Sequence, residues 1–325
     1  MALLAGIDIG GTKCAVSLGE QRGDGIRIYG KRRFPTAVGD PQAALRDIAD
    51  VLEDMLAEYD GDQRLQAIGI SCGGPLDSRQ GIILSPPNLP GWDRVEAAAC
   101  FSQRFGVPAA LQNDANACAL AEWKWGAGRG RSNIIFLTFG TGMGAGLILN
   151  GQLYSGANDM AGEIGHMRLE EDGPVGYGKA GSFEGFCSGG GIAQLAQTIV
   201  SDAIRRGQPP AFCPTEAELP SITAQTVGEA ASQGDELAIH IYTVVGRQLG
   251  RGLAVLIDIL NPERIIIGSI FGRQRAILEP VMLESIRREA LPLSASVCDI
   301  VPAGLGEQIG DYASLSIAAY ELNKQ

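Results

Sequence analysis

Several features that would assign this sequence to other classes of protein are missing. No run of about 18 apolar residues occurs, so no membrane span is expected. Lys and Arg total 26 against 37 for Asp and Glu, and the net charge of −11 argues against nucleic acid as a partner. Residues 1–10 lack the basic start of a secretory signal and already contain Asp8. We therefore expect a cytoplasmic protein that binds neither nucleic acid nor membrane.

Paired cysteines are missing as well. The seven cysteines are odd in number, lie in apolar segments and form no CxxC pair. This distribution fits the reduced thiols of a cytosolic protein and predicts no disulfide framework.

Glycine, by contrast, reaches about twice its usual share of ~7 %, with 45 residues in a chain of 325. The length and the 45 % hydrophobic content predict two folded domains. Predicted strands and helices alternate, which indicates an α/β fold. The strands are predicted at 3–9, 14–18, 65–70, 109–112, 134–139, 145–149, 264–268 and 297–301. The helices are predicted at 40–59, 94–105, 115–125, 189–206, 223–233, 235–259, 274–290 and 309–322.

Two glycine-rich loops each join a pair of predicted strands. The first glycine loop is residues 10–13 (GGTK), and the second glycine loop is residues 140–144 (GTGMG). Neither is a P-loop, and the loose dinucleotide fingerprint at 140–145 precedes a strand where that motif requires a helix. Without Cβ atoms, backbone N–H groups can converge on an anion, and Thr12 or Thr141 adds a hydroxyl donor. The pair predicts a polyphosphate site, although either loop alone could be only a tight turn.

Two aspartates lie at or just beyond the ends of predicted strands, where ligands bind in α/β folds. Asp8 precedes the first glycine loop and offers a carboxylate for the Mg²⁺ of a nucleotide, or else serves as a turn residue. Asp114 lies between a predicted strand and a predicted helix. Spacing alone favours the interpretation that Asn113 or Asp114 is simply the N-cap of that helix.

Four ordered motifs resemble those of the ROK family, whose name stands for repressor, open reading frame, kinase. They are DIGGTK (8–13), NDANA (113–117), TFGTGMGAG (138–146) and GEIGH (162–166). Residues 262–268 also resemble the late strand and loop of the family on the adenosine side. The resemblance extends over nearly the whole chain, and the enzymes of this family are actin-like, ATP-dependent sugar kinases.

The resemblance implies an α/β fold of two actin-like, ribonuclease-H-like domains with the active site in the cleft between them. The first domain would comprise residues 1–115 and about 300–325, and the second about 116–299. It further implies ATP and Mg²⁺ as cofactors, a small-molecule sugar as substrate and a homodimer. Glucose is the first candidate, and fructose, mannose, allose and N-acetylmannosamine are compatible.

Residue roles follow from the same resemblance. Asp114 is expected to be the catalytic general base, because phosphoryl transfer to a hydroxyl needs alignment, charge neutralisation and a carboxylate that accepts the proton. The residues expected to bind the sugar are Gly74, Asn88, Asn113, Asp114, Glu163, His166 and Glu184. The residues expected to bind the nucleotide and its Mg²⁺ are Asp8, Gly10, Gly11, Thr12, Lys13, Thr138, Gly140, Thr141, Gly142 and Gly268.

Some of these residues have ordinary alternatives. Glu163 and Glu184 could be solvated charges, as most glutamates are. His166 could be a structural histidine, and the other histidine, His240, is predicted to lie on a helix surface. Ser269 after Gly268 departs from the two glycines common in the family, which weakens the adenine assignment there.

A larger departure concerns zinc. Many ROK proteins carry a CxCGxxGCxE motif after the GH pair, and here its three cysteine positions hold Val175, Tyr177 and Ser182. One histidine, His166, and one serine cannot supply the usual ligands, so no zinc is expected. The glycine-rich segment 173–185 would then be held by packing, with Tyr177 and Phe183 as its anchors.

The sequence therefore predicts a kinase that phosphorylates the 6-hydroxyl of a hexose or hexose derivative. A ROK-type repressor is disfavoured, because the first glycine loop begins too early for a preceding helix-turn-helix. A catalytically silent sugar sensor or regulator is the alternative, and a donor other than ATP is a further one.

Overall fold

The computed structural model describes residues 1–324 of the chain. Within them, the strands are β1 (Ala2–Ile9), β2 (Lys13–Arg22), β3 (Gly25–Pro35), β4 (Leu65–Cys72), β5 (Leu76–Asp77), β6 (Ile82–Ile83), β7 (Ala109–Gln112), β8 (Ile134–Phe139), β9 (Met143–Leu149), β10 (Gln152–Leu153), β11 (Val175–Gly176), β12 (Lys179–Ala180), β13 (Arg264–Ile267) and β14 (Asp299–Pro302). The helices are α1 (Pro41–Glu58), α2 (Ala97–Phe105), α3 (Asp114–Trp125), α4 (Phe183–Phe186), α5 (Gly189–Arg205), α6 (Ala224–Ser232), α7 (Glu236–Leu260), α8 (Ile270–Arg273), α9 (Arg275–Glu289), α10 (Pro292–Ala295) and α11 (Ile309–Leu322). No helix of residues 1–324 has the length and apolarity needed to cross a membrane.

The chain divides into two compact units. The first unit comprises Met1–Phe136, Gly146–Ala161 and the residues from Gly304 onward. The second unit comprises Leu137–Ala145 and Gly162–Ala303. The first unit includes residues 116–136, which the sequence assigned to the second domain; the domain boundaries themselves stay a prediction.

The first unit is built on a five-stranded sheet with the order β3-β2-β1-β4-β7. β1, β4 and β7 run parallel, whereas β2 and β3 are antiparallel additions at one edge. Helix α1 packs one face of this sheet through Leu45, Ile48 and Leu52. Helix α11 packs the other face, where Leu315 and Ala318 meet β1 and β4.

Glycine permits the close approach of α11 to the sheet. A Cβ on Gly69 of β4 would lie 2.0 Å from the carbonyl oxygen of Ser314 in α11. That contact is impossible for any larger residue, so Gly69 fixes the spacing between helix and sheet.

The second five-stranded sheet has the order β10-β9-β8-β13-β14. Its β8 and β9 enclose the second glycine loop, and Asn150 and Gly151 form the tight turn to β10 in the left-handed region. β13 and β14 are parallel, in register from Arg264 opposite Asp299. The two sheets confirm the predicted α/β fold class.

Most predicted elements are confirmed within one to three residues. α1 begins after Asp40, whose side chain accepts a hydrogen bond from the N–H of Ala43, and α2 ends at the left-handed Gly106 as predicted. β3 was not predicted, because its basic residues at 31–33 interrupt the apolar alternation.

Candidate active site

Polar side chains gather at the carboxyl ends of the parallel strands of the first unit. Asp8 of β1 is opposite Ser71 of β4 in the sheet register, and Ser71 is opposite Gln112 of β7. Asp114 follows Gln112 by two residues, and its Oδ1 accepts a hydrogen bond of 2.8 Å from Ser71 Oγ. The fold thus brings both predicted aspartates to one edge of one sheet.

The N-cap of α3 is Asn113, not Asp114. Asn113 Oδ1 accepts the backbone N–H of Asn116 at 2.8 Å, while Asp114 occupies the first turn of the helix. The carboxylate of Asp114 is therefore not consumed by capping, and the amide nitrogen of Asn113 is still a possible donor.

The local environment shifts the pKa of both aspartates. The pKa of Asp8 is raised to about 6, mainly by burial and next by the negative charge of Asp114, while Lys31 and Arg33 oppose the rise. The protein atoms around Asp114 reduce the solvation of its carboxylate and so raise its pKa, although part of the residue is open to solvent. The hydrogen bond from Ser71 opposes this rise. Both carboxylates are therefore poorly stabilised as anions, which suits groups that await a cation or a proton.

The first glycine loop leaves two adjacent backbone donors open. The N–H of Gly10 donates to the carbonyl of Lys13 at 3.1 Å, and Thr36 secures the loop by donating from its hydroxyl to the carbonyl of Gly10 at 2.7 Å. Among residues 1–324, the N–H groups of Gly11 and Thr12 have no hydrogen-bond acceptor. The loop can therefore offer both groups to an anion.

Asn88 lies against this loop. A Cβ on Gly11 would be 2.4 Å from the carbonyl oxygen of Asn88, and a Cβ on Gly73 would be 3.4 Å from its Oδ1. The neighbouring Gly74 faces open space and precedes a cis peptide bond to Pro75. Asn88, Gly11 and Gly73 are thus neighbours in the first unit.

The second glycine loop has the same arrangement of donors. Thr138 secures it, because its hydroxyl accepts the N–H of Gly144 at 2.9 Å, and the N–H of Gly140 donates to the carbonyl of Gly142. The N–H groups of Thr141 and Gly142 have no acceptor in the described part of the chain. Thr138 was predicted to bind the nucleotide. Its hydroxyl already supports the loop through this hydrogen bond.

Glu184 contacts the second glycine loop. Its Oε2 accepts the N–H of Met143 at 3.0 Å and lies 2.9 Å from where a Cβ on Gly142 would be. Because α4 begins at Phe183, with Ser182 as its N-cap, the position of Glu184 is fixed by the helix. Glu184 is therefore not a solvated charge.

His166 ends a single 3₁₀ turn, Ile164–His166, that follows the exposed Glu163. Its ring lies edge-on to Tyr177 with 5.0 Å between centroids, and its carbonyl accepts a hydrogen bond of 2.7 Å from Lys179 Nζ. No metal ligand approaches it: within residues 1–324, no group of three or more His, Cys, Asp or Glu side chains is placed to hold a metal ion. The absence of zinc itself stays a prediction.

Both hydrogen bonds and packing hold the segment 173–185. Besides Lys179, Arg168 donates to the carbonyl of Ala180 at 3.0 Å, and Gln194 exchanges two hydrogen bonds of 3.0 Å with the backbone of Val175. Phe183 is fully buried, which confirms it as a packing anchor. The prediction for Tyr177 is wrong in this respect, because 74 % of its side chain is exposed and only its edge contacts the imidazole.

The remaining predicted residues lie at the first glycine loop, after β13 and on α7. Thr12 and Lys13 are exposed at the first glycine loop, and the carbonyl of Leu137 accepts the N–H of the buried Gly268 at 3.0 Å. Ser269 has a positive φ of 55°, a conformation that glycine adopts without strain. His240 is exposed on α7, as predicted.

The sequence analysis missed a buried acid near the end of α3. Glu122 is 0 % exposed and accepts the N–H groups of Ala127, Gly304 and Leu305 at 2.7, 3.0 and 2.9 Å. It joins two loops of the first unit that are 177 positions apart in sequence (127 and 304). No local pattern around Glu122 indicates partners so distant.

Comparison with known proteins identifies the family of this chain. A model of the ROK family matches residues 4–319. Glucokinase of Streptomyces coelicolor is 29 % identical over 320 residues, covering 98 % of each chain. Glucokinase of Thermotoga maritima is 31 % identical over 315 residues, covering 97 % of this chain and 96 % of its own. The transcriptional repressor Mlc of Escherichia coli is 31 % identical over 263 residues, which is 77 % of this chain and 62 % of the repressor.

Solved structures of ROK kinases are also similar to this chain. The ROK hexokinase of Thermus thermophilus has a TM-score of 0.79 and 28 % identity, covering 99 % of this chain and all of its own. A ROK glucokinase of Streptomyces griseus in complex with glucose and AMPPNP has a TM-score of 0.73 and 28 % identity, covering 98 % of this chain and all of its own.

Proposed function

The chain belongs to the ROK family and is a carbohydrate kinase, and from this premise we propose that it transfers a phosphoryl group from ATP to the 6-hydroxyl of a hexose or hexose derivative. Glucose is the first sugar to test, because the relatives that cover nearly the whole chain are glucokinases. The roles of individual residues below are part of the proposal.

Asp114 is the proposed general base, and the contact from Ser71 carries this assignment. The cap of α3 is made by Asn113, so the Asp114 carboxylate is oriented by Ser71 and otherwise open to solvent. In a loose phosphoryl-transfer transition state the hydroxyl proton moves late, so a carboxylate of modest basicity is sufficient. A pKa raised by the surrounding protein makes Asp114 a better acceptor for that proton.

The two glycine loops and Asp8 fit ATP with Mg²⁺. Each loop offers two adjacent N–H groups without an internal acceptor, from Gly11 and Thr12 and from Thr141 and Gly142. Mg²⁺ prefers oxygen ligands and binds with water and phosphates, and the carboxylate of Asp8 would supply such a ligand. The bound cation would neutralise the charge that develops on the transferred group.

Polar groups would bind the sugar hydroxyls. The proposed groups are Asn88, the Asn113 amide, the Gly74 turn, Glu163, His166 and Glu184. Sets of fixed donors and acceptors discriminate strongly among hydroxyl patterns, because a mismatched sugar leaves buried polar groups unpaired.

The test is a panel of hexoses with ATP and Mg²⁺, with ADP release as the readout, for the wild type and Asp114→Asn. We expect one or a few sugars to stimulate ADP release and the substitution to lower kcat by at least about 100-fold. Asp47→Asn, on the exposed face of α1, is the matched control and should behave as the wild type. Full activity of Asp114→Asn, or no response to any sugar, would refute the proposal.

A catalytically silent regulator is the second candidate, because the Mlc repressor is 31 % identical over 77 % of this chain. A silent protein would bind a sugar in equilibrium dialysis without any ADP release. A homodimer is expected from the resemblance alone, and sedimentation velocity would determine the oligomeric state.

A further inference from the structure

The first unit carries a surface groove of about 1420 Å³ that contains none of the proposed active-site residues. The turn between β2 and β3, the carboxyl end of α3, the loop before β8 and the end of α11 form its walls. We call it the basic groove. It exceeds the roughly 300–1,000 Å³ of typical small-molecule sites, so a whole metabolite can enter it.

The basic groove concentrates positive charge on an acidic protein. Four of its lining side chains are cationic, and Asp24 is the one acid among the lining residues described. The cations are Lys124, Arg129, Arg131 and Lys324. Such a concentration contrasts with the net charge of −11 for the chain and creates a local attraction for anions.

Lys124 is the least compensated of these cations. It is half-buried, and within residues 1–324 no carboxylate or carbonyl pairs with its ammonium group. The cost of removing this ammonium from water lowers its pKa, with no neighbouring charge as a contributor. Arg129 is only weakly paired, 3.9 Å from an almost fully exposed Asp24. Lys324, by contrast, is already paired with Glu321 at 3.0 Å.

Aromatic rings line the same groove. Trp123 and Tyr320 meet edge-on with 6.3 Å between centroids, and Trp123 Nε1 donates to the carbonyl of Arg131 at 2.8 Å. Trp125 lies next to Lys124 and is half-buried against Tyr312. These contacts fix the indole rings and leave part of their surface for the ring of a ligand.

We propose that the basic groove binds a small phosphate ester, with Lys124 and Arg129 on the phosphate and the tryptophan rings against its organic part. A half-buried ammonium without a partner is stabilised when a phosphate supplies the missing charge. A nucleic acid polymer is excluded as the ligand, because it would extend over the acidic remainder of the surface. The ester could be a sugar phosphate or a nucleotide, which share this chemistry.

Tryptophan fluorescence tests the proposal directly, because two of the three tryptophans lie in the groove and the third, Trp92, is 0 % exposed. Inorganic phosphate, glucose 6-phosphate and AMP are titrated separately into the wild type, Lys124→Met and Arg129→Gln. We expect at least one ester to bind more tightly than inorganic phosphate, and both substitutions to raise its Kd about fivefold or more. The tighter of the two esters identifies the class of ligand.

The matched control is Arg206→Gln, an exposed arginine of the second unit, which should leave the Kd unchanged. Lys124→Met keeps the apolar stem, so its melting temperature should match or exceed that of the wild type. An ester that binds only at the active site would bind Lys124→Met and the wild type equally, which would overturn the proposal. Absence of any response up to about 5 mM ester would also overturn it. Neither result bears on kinase activity, which is measured separately.

Discussion

The Glu184 carboxylate accepts a hydrogen bond of 3.0 Å from the backbone N–H of Met143, which lies in the second glycine loop. Glu184 is proposed to bind the sugar, and this loop is proposed to bind phosphate. A sugar hydroxyl that competes for the same carboxylate would release the Met143 N–H toward the nucleotide. The two proposed ligands are therefore coupled through one hydrogen bond.

This coupling predicts a kinetic signature for Glu184→Asp. The shorter side chain keeps its charge but cannot reach Met143, which leaves the Met143 N–H free for the nucleotide, so we expect the KM for the sugar to rise about tenfold and the KM for ATP to fall. Glu163→Asp is the matched comparison, because Glu163 is exposed and, within residues 1–324, its side chain makes no hydrogen bond to this loop. It should change the KM for the sugar alone. An unchanged KM for ATP in Glu184→Asp would exclude the coupling.

Ser71 is predicted to position Asp114 and to set its basicity. Removing the hydroxyl in Ser71→Ala removes a hydrogen bond that lowers the pKa of Asp114, so the pKa should rise. The acidic limb of the kcat-against-pH profile should then move to higher pH, with kcat at neutral pH down about three- to tenfold. Ser17→Ala, at a buried serine of β2 in the same sheet, should leave the profile in place. A profile for Ser71→Ala identical to the wild type would contradict the role.

Asp8 is predicted to cost stability in the protein without Mg²⁺ and ATP. Its pKa is about 6 when folded and near 4 when unfolded, so the folded state binds the proton more tightly. Below about pH 4 the carboxyl is protonated in both states and costs nothing; between about pH 4 and 6 stability falls as pH rises, and above that the cost is complete. Two pKa units correspond to at most about 3 kcal/mol.

Asp8→Asn should therefore raise the free energy of unfolding at pH 8 by about 1–3 kcal/mol, with little gain at pH 4. Urea denaturation at both pH values measures this. The same variant should lose most of its kinase activity, because it loses the proposed Mg²⁺ ligand. Asp60→Asn, at an exposed aspartate, should show neither effect. A stability gain that is equal at both pH values would show that the carboxyl pKa is not its source.

Local patterns in the sequence predicted the caps, turns and strands that depend on interactions between neighbouring residues. The N-cap at Asp40, the terminating Gly106 and the Asn150-Gly151 turn were each readable from a few neighbouring residues, and so were the strands around both glycine loops. β3 escaped notice because an edge strand needs no apolar alternation when its pairing with β2 supplies the backbone bonds.

Contacts between distant parts of the chain could not be predicted from the sequence. The pairing of Ser71 with Asp114 depends on the alignment of β4 with β7, and the contact of Glu184 with Met143 depends on how α4 packs. The partners of Glu122 lie as far as 183 positions away. Sequence patterns placed the candidate residues near their loops but could not say which of them already had partners.

Glu122 is predicted to be among the most sensitive positions for stability. Its two oxygens accept three backbone N–H groups while fully buried, and an amide in Glu122→Gln would turn an N–H₂ toward at least one of those donors. We expect a loss of about 2–4 kcal/mol in the free energy of unfolding, measured by urea denaturation. Glu321→Gln, on the half-exposed surface of α11, should lose less than about 1 kcal/mol. A loss for Glu122→Gln no larger than that of the control would contradict this account.

The segment 173–185 is predicted to be independent of metal and dependent on Lys179. The three cysteine positions of the zinc motif considered for this segment hold Val175, Tyr177 and Ser182, and Ser182 is the N-cap of α4. Lys179 donates to the carbonyl of His166 at 2.7 Å, so it ties the segment to the turn that carries the histidine.

Treatment with a zinc chelator should therefore leave the melting temperature unchanged, whereas Lys179→Met should lower stability by about 1 kcal/mol and raise the KM for the sugar. Lys179→Arg keeps a cationic donor and should recover most of both losses. Zinc bound in stoichiometric amount to the purified protein, or a chelator-induced fall in melting temperature, would show that a cation still organises this segment.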